Sequence, residues 1–158
     1  MDITAALIVR LAAIPARLAQ AVAGWPAARL HAAPADGAWS AADILAHLRA
    51  TDDILAFRAF MILARDNPPM PSFDERRWAE VAGYPQADFH GSLQAFRLRR
   101  AELAAMLRRA VAEDWQRTGA HEERGPITLL DVIESVVEHE EEHCEQLEAI
   151  SGRLAAGT

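Results

Sequence analysis

The chain has 158 residues, 51% of them apolar, which fits one domain spanning residues 1–158 with a sizeable core. Its formal net charge of −7, with arginines interleaved among acids apart from the short Arg97–Arg100 and Arg108–Arg109 groups, argues against a nucleic-acid partner, which needs a clustered basic surface. One cysteine, Cys144, excludes an internal disulfide, and the absence of a signal-like N-terminus or an apolar run of about 20 residues argues against a membrane partner and for the cytoplasm.

Four long helices are predicted in chain order. The first runs from about Ile3 to Val22, with Leu7, Leu11, Ile14, Leu18 and Val22 at three- and four-residue steps and Pro15 as an interruption. A loop follows over 24–38, punctuated by Pro26, Pro34 and Gly37. The second helix starts after Ser40, an N-cap with Asp43 in the capping-box position and Trp39 placed to staple onto Ile44. It continues to Arg65. A long proline-rich connection then occupies 67–85, with one short helix around Asp74–Val81, and a connection of that length in a compact domain is often functional. The third helix covers about Gln86 to Ala112, its core face drawn from Leu93, Phe96, Leu103 and Leu107. Arg97–Arg100 and Arg108–Arg109 read as solvated faces. Gly119–Pro126 reads as the next connection. The fourth helix begins near Thr128, with Asp131 three residues on, and ends near Ser151-Gly152. Alanine and leucine dominate, valine and isoleucine are scattered, and the class is all-α: a four-helix bundle with a long connection between the second and third helices.

Histidines carry the chemistry. His139 and His143 are four apart on the fourth helix, on the stripe of Leu129, Val132, Val136 and Ile150, so a helix turns both inward. His47 points inward on the second helix, three residues after Ile44 and seven before Ile54. A single inward histidine is ordinarily a satisfied core residue. Three of them, two from one helix and one from a facing helix, form a set that can hold a divalent metal with coordination positions left open. Imidazole donors suit zinc or nickel, and iron as well. Gln146, one turn beyond His143, is placed to hydrogen-bond a ligand. Cys144 lies about 100° round the helix from His143 and reads as a small buried hydrophobe. His31 and His121 fall in loops and His90 at a helix start. Arg97, Arg117 and Arg124 are surface residues that could meet an anion.

Two stretches resemble the signatures of a known family. Trp39-Ser40-Ala41-Ala42-Asp43-Ile44-Leu45-Ala46-His47-Leu48 looks like the first signature of the DinB-like (YfiT-like) superfamily, and His139-x-x-x-His143-x-x-Gln146 looks like its second. Asp74–Glu80 and the stretch from Trp115 to Thr128 are similar to the same group, so the resemblance runs from about Leu7 to Ile150. Asp43 departs from the glutamate frequent in the family, which touches the helix start rather than the metal. The resemblance implies a four-helix bundle, often a homodimer, in which His47, His139 and His143 hold a divalent metal. It also implies a low-molecular-weight thiol co-substrate, so a thiol-dependent transferase acting on a small-molecule substrate is the first expectation; a metal that activates water instead would make a hydrolase, the second. A non-catalytic metal-binding dimer is the alternative.

His139-Glu140-Glu141-Glu142-His143 also matches the H-E-x-x-H pattern of zinc proteases, in which Glu140 would be the general base. Only 15 residues follow His143 and none is histidine, so a downstream third ligand would have to be Glu145 or Glu148. No strand is apparent to bind an extended peptide. The glutamate-rich context makes the match easy to reach by chance.

Overall fold

The computed structural model describes residues 2–155; Met1 and residues 156–158 of the expected 1–158 domain lie outside the described residues. Six helices and three short strands follow in the order α1 (Ile3–Ala21), α2 (Ala27–Leu30), α3 (Ala41–Ala64), β1 (Pro69–Met70), α4 (Glu75–Val81), α5 (Phe89–Leu107), β2 (Thr118–His121), β3 (Gly125–Thr128) and α6 (Leu129–Ala155). Single 3₁₀ turns precede α5, at Tyr84–Gln86, and β2, at Asp114–Gln116.

The long helices begin where their caps dictate. Ser40 Oγ accepts from Asp43 N at 3.1 Å, and the Asp43 carboxylate accepts from Ser40 N at 2.9 Å, a complete capping box. Thr128 and Asp131 repeat the arrangement before α6, with the same reciprocal bonds at 3.0 and 2.8 Å. The third long helix starts later than the residue pattern implies, because Asp88 caps Gly91 N at 2.7 Å and the segment before it is the 3₁₀ turn. In contrast, α6 runs through Ser151-Gly152. Gly152 is not among the glycines with positive φ that stop a helix, and an interior glycine costs only about 1 kcal/mol relative to alanine.

The helices α1, α3, α5 and α6 form the bundle. Arg10 pairs with Glu141 through Nε at 2.9 Å and Nη2 at 2.5 Å, and Arg17 pairs with Glu148 through both nitrogens at 3.0 Å. Both forks join residues 131 apart, so α1 and α6 run parallel. Likewise Arg49 bonds Ser92 and Asp52 meets Arg99, which sets α3 parallel to α5. Apolar neighbours fix the remaining directions. Ala59 and Ile62, near the end of α3, share a cluster with Leu7 and Leu11 of α1, Leu103 and Leu107 of α5, and Leu129 and Val132 of α6. Ile44 and Leu48 share a second cluster with Ile14, Leu18, Phe96, Cys144 and Leu147. The order is therefore up, down, down, up, and α3 must be followed by a return along its own length, about 36 Å at 1.5 Å per residue.

That return is the 67–85 connection, and it is built rather than loose. β1 pairs parallel with β2, in register Pro69 with Ala120 and Met70 with His121, and β2 pairs antiparallel with β3. The Gly119–Pro126 connection thus belongs to a three-stranded sheet that the residue pattern does not disclose. Strands of two to four residues are too short to show alternation, and β1 finds its partner only about 50 residues away. Arg117 locks the sheet to α3, donating from Nε to Ile62 O at 2.9 Å and from Nη2 to Arg65 O at 3.0 Å. Next α4 lies along α3. Asp53 Oδ2 accepts from Trp78 Nε1 at 2.9 Å and from Tyr84 Oη at 2.6 Å, which clamps the returning chain.

Among the described helices α1 alone has the length and mean hydropathy, 1.4 over its most apolar window, of a membrane span. Its stripe of Leu7, Leu11, Ile14 and Leu18 is buried against the bundle, and Arg10 and Arg17 are spent on α6. Those contacts are what a core helix of the bundle makes.

The Ser40 cap is 2% exposed and positions the start of the helix that carries His47. Ser40→Ala is expected to lower stability by about 1 kcal/mol, read as a lower urea midpoint at unchanged slope; an unchanged midpoint would show that the cap carries no net stability.

Candidate metal centre

The first turns of α3 and the middle of α6 meet at His47, His139 and His143. One ring nitrogen from each lies within 4.8 Å of the others, and among the described residues no other group of three histidine, cysteine or acidic side chains is gathered so closely. His47 Nε2 is 2.9 Å from His139 Nε2. The rings pack edge to face, with centroids 4.9 Å apart for His47–His139 and His47–His143 and 4.7 Å apart for His139–His143. The three residues expected to act together are therefore brought together.

Two kinds of contact bear on whether a cation fits. His143 Nδ1 faces Gln146 Oε1 at 2.9 Å. An amide oxygen only accepts, so Nδ1 carries the hydrogen and Nε2 keeps a free lone pair, the tautomer a ligand needs. His47 Nδ1 and His139 Nδ1 are sealed from solvent without a partner, which leaves their Nε2 atoms as the functional edges, turned toward each other. The 2.9 Å between them is a few tenths of an ångström inside the separation of about 3.3 Å that two nitrogens take on a tetrahedral ion with bonds of about 2.0 Å. Ordinary side-chain movement covers that difference. Burial, with His139, His143 and Arg76 nearby, pushes His47 down to about 4, and burial lowers His139 as well. Both are neutral at neutral pH, with lone pairs available for a metal.

Trp39 forms the wall behind the histidines. Its ring stacks on His143 at 5.7 Å and 16°, and leans on His47 at 4.9 Å. This is more than the helix-start packing the sequence suggests, since the indole orients two of the three imidazoles. Beside His47 opens a cleft of about 340 Å³, bounded by Trp39 and Asp43 on one side and by Glu75, Arg76 and Glu80 of α4 on the other. The α4 residues enter the sequence pattern only through the family resemblance over Asp74–Glu80, which gives them no role at the site. Their place at the site follows from the return path of the chain, which no local pattern encodes.

Glu140, the general base of the H-E-x-x-H reading, does not line that cleft. It is 1% exposed in the core, where its Oε1 receives Arg100 Nη2. Arg100, also 1% exposed, reaches Asp52 Oδ1 at 3.0 Å, so one guanidinium of α5 joins carboxylates from α3 and α6. Arg99 adds a contact to Asp52 Oδ2 at 3.1 Å and pairs with Asp53. The Arg97–Arg100 group is thus not a uniformly solvated face; its last member is a core residue. Burial pushes Glu140 up to about 8 and raises Asp52, while Arg100 pulls both back. Both Asp52 oxygens, Glu140 Oε2, Arg100 Nε and Arg100 Nη1 are buried without hydrogen-bond partners, so the Asp52 contacts are ion pairs without hydrogen-bond geometry and the cluster is only partly satisfied.

The other histidines stay outside the cluster. His31 follows α2, His90 is in the first turn of α5, and His121 Nδ1 accepts from Glu123 N at 3.2 Å in the β2–β3 turn. Cys144 is fully buried, and burial pushes its thiol up to about 12, as fits a packing residue.

A family model described as the DinB superfamily matches residues 10–147. A curated relative, "Putative metal-dependent hydrolase YfiT" from Bacillus subtilis (strain 168), is 26% identical over 142 residues, covering 89% of this chain and 80% of that protein. A solved structure described as "YfiT from Bacillus subtilis is a probable metal-dependent hydrolase with an unusual four-helix bundle topology" superposes with a TM-score of 0.86 at 25% identity, covering 96% of this chain and 87% of that chain.

Truncating the buried cation leaves Asp52 and Glu140 in the core without their counter-charge. Arg100→Met is expected to cost about 3–5 kcal/mol in urea unfolding. A loss below about 1 kcal/mol would mean that solvent reaches the cluster and screens it.

Proposed function

We propose that this chain, which belongs to the DinB superfamily, is a metal-dependent hydrolase of a small molecule, with a divalent ion held by His47, His139 and His143. The observation that carries this reading is the convergence of three imidazoles from two helices beside an open cleft, with no fourth histidine, cysteine or acidic side chain gathered within the same 4.8 Å among the described residues. Such a shell leaves coordination positions for reactants, as in catalytic rather than structural sites. The sequence match and the solved structure are the same relative, YfiT of Bacillus subtilis, and its name supports the hydrolytic assignment.

When bound, the ion supplies Lewis acidity, which makes a water or a thiol a nucleophile near neutral pH and polarises a substrate oxygen. Zinc or nickel suits three imidazoles, and iron is compatible. The chain does the positioning. Gln146 fixes the tautomer of His143, and Trp39 fixes the orientation of His143 and His47. Arg76, which has no carboxylate within ion-pair distance among the described residues, offers a cation at the cleft for an anionic part of the substrate. Glu75 and Glu80 flank the same cleft and are the acids positioned to exchange a proton with it. Glu140 serves the core. A low-molecular-weight thiol in place of water would make the same site a transferase, and the two activities differ in whether turnover requires added thiol.

Protein purified without a metal-affinity tag is expected to carry about one divalent metal per chain, and to lose most of it in His143→Ala. Hydrolysis of a nitrophenyl ester should fall by about 100-fold or more on chelation and return on adding zinc or nickel. Equal metal content in the variant and the wild type would refute the ligand set. Turnover that appears only with added cysteine would replace the hydrolase assignment with a thiol transferase.

A further inference from the structure

On the side of α4 away from the histidine cleft lies a second concavity, a groove of about 220 Å³ between α3, β1 and α4. Phe57, Met61, Phe73 and Trp78 line it, and two of these are unusually open for their size: Phe57 is 60% exposed and Trp78 is 44% exposed. Its one charged lining residue is Arg58, which is 7% exposed.

The surroundings of Arg58 are unlike those of the other buried arginine. Arg100 is held between two carboxylates, whereas Arg58 has no carboxylate within ion-pair distance among the described residues. Its Nη2 donates to Pro71 O at 2.6 Å, and its guanidinium sits 5.1 Å from the centre of the Phe73 ring. Nε and Nη1 have no protein acceptor among the described residues, yet they are not among the atoms sealed from solvent. Burial and the nearby Arg124 disfavour the charge, and Glu123 offsets them only at a distance. A largely buried cation that keeps charged N–H donors free beside an apolar groove has the parts of a carboxylate-recognition site: a charge-assisted donor for a carboxylate oxygen, and an oily slot for what is attached.

We propose that this groove binds an apolar monocarboxylate, with its hydrocarbon part between Phe57, Met61 and Trp78 and a carboxylate oxygen on a free N–H group of Arg58. The volume limits the ligand. At about 30 Å³ per water-sized group, 220 Å³ holds about seven such groups, the scale of a medium-chain aliphatic or an arylalkyl acid. The site is separate from the metal centre, since it shares no lining residue with the histidine cleft.

Calorimetric titration of the full chain with octanoate, against neutral octanol, tests this. Saturable octanoate binding is expected, with octanol weaker by about tenfold or more and with a similar loss in Arg58→Gln, because a hydrogen-bonded charge contact is removed in each case. If Arg58→Gln does not fold, Ser72→Trp fills the groove from an exposed position and is expected to abolish binding with the thermal midpoint retained. Octanoate should bind the His139→Ala/His143→Ala variant as it binds the wild type. Loss of binding in that variant would place the carboxylate at the histidines and overturn the proposal. Equal affinity for octanoate and octanol, no saturable binding, or binding unmoved by both groove variants would overturn it too, as would a groove closed by a second copy of the chain in cross-linking.

Discussion

One guanidinium buried at the centre of the bundle holds three helices at a common level. Arg100 of α5 meets Asp52 of α3 and Glu140 of α6, and all three side chains are nearly inaccessible. As a source of stability this is a poor choice. Desolvating each ion costs several kcal/mol, and an apolar layer of the same volume would serve as well or better. As a constraint on register it is strong, because sliding α3 or α6 by a turn would strand a charge in the core. His139 precedes Glu140 directly, and His47 lies just over one turn before Asp52. The same clasp that aligns the helices therefore sets where the imidazoles meet, at a separation that a cation can bridge with little movement.

The second constraint is topological. With α1 parallel to α6 and α3 parallel to α5, two long helices in succession point the same way, and the chain between them must travel the bundle's length. That requirement accounts for the 67–85 segment, anchored at one end by β1 pairing with β2 and along its course by Asp53 holding Trp78 and Tyr84. The return path lays α4 beside His47. One face of this short helix walls the histidine cleft, and Trp78 on its other face borders the apolar groove. A connection imposed by helix directions has become the part of the fold that shapes both concavities.

Local signals in the chain were legible because their physics is local. The i, i+4 spacing of His139 and His143 fixes their shared face on any α-helix, and Gln146 follows at a distance that reaches His143. Ser40 with Asp43 and Thr128 with Asp131 mark their helix starts through side-chain bonds to nearby backbone. What stayed hidden depends on partners far along the chain. Arg100 looks like one more arginine in a basic run until α3 and α6 bring carboxylates to it. Glu140 reads as a solvated helix residue that matches a metalloprotease base by easy chance, until the same contact draws it inward. The strands are too short to carry a period, and Trp39 gains its place against His143 only when α6 arrives.

The central claim is that His47, His139 and His143 together bind one divalent ion. X-ray absorption on the cobalt- or zinc-loaded protein tests it most directly, by counting imidazoles around the metal. Three histidine nitrogens at about 2.0–2.1 Å, falling to two in His47→Ala, is the result this account predicts. A shell of oxygen donors alone, or a histidine count that the His47→Ala substitution leaves unchanged, would contradict it.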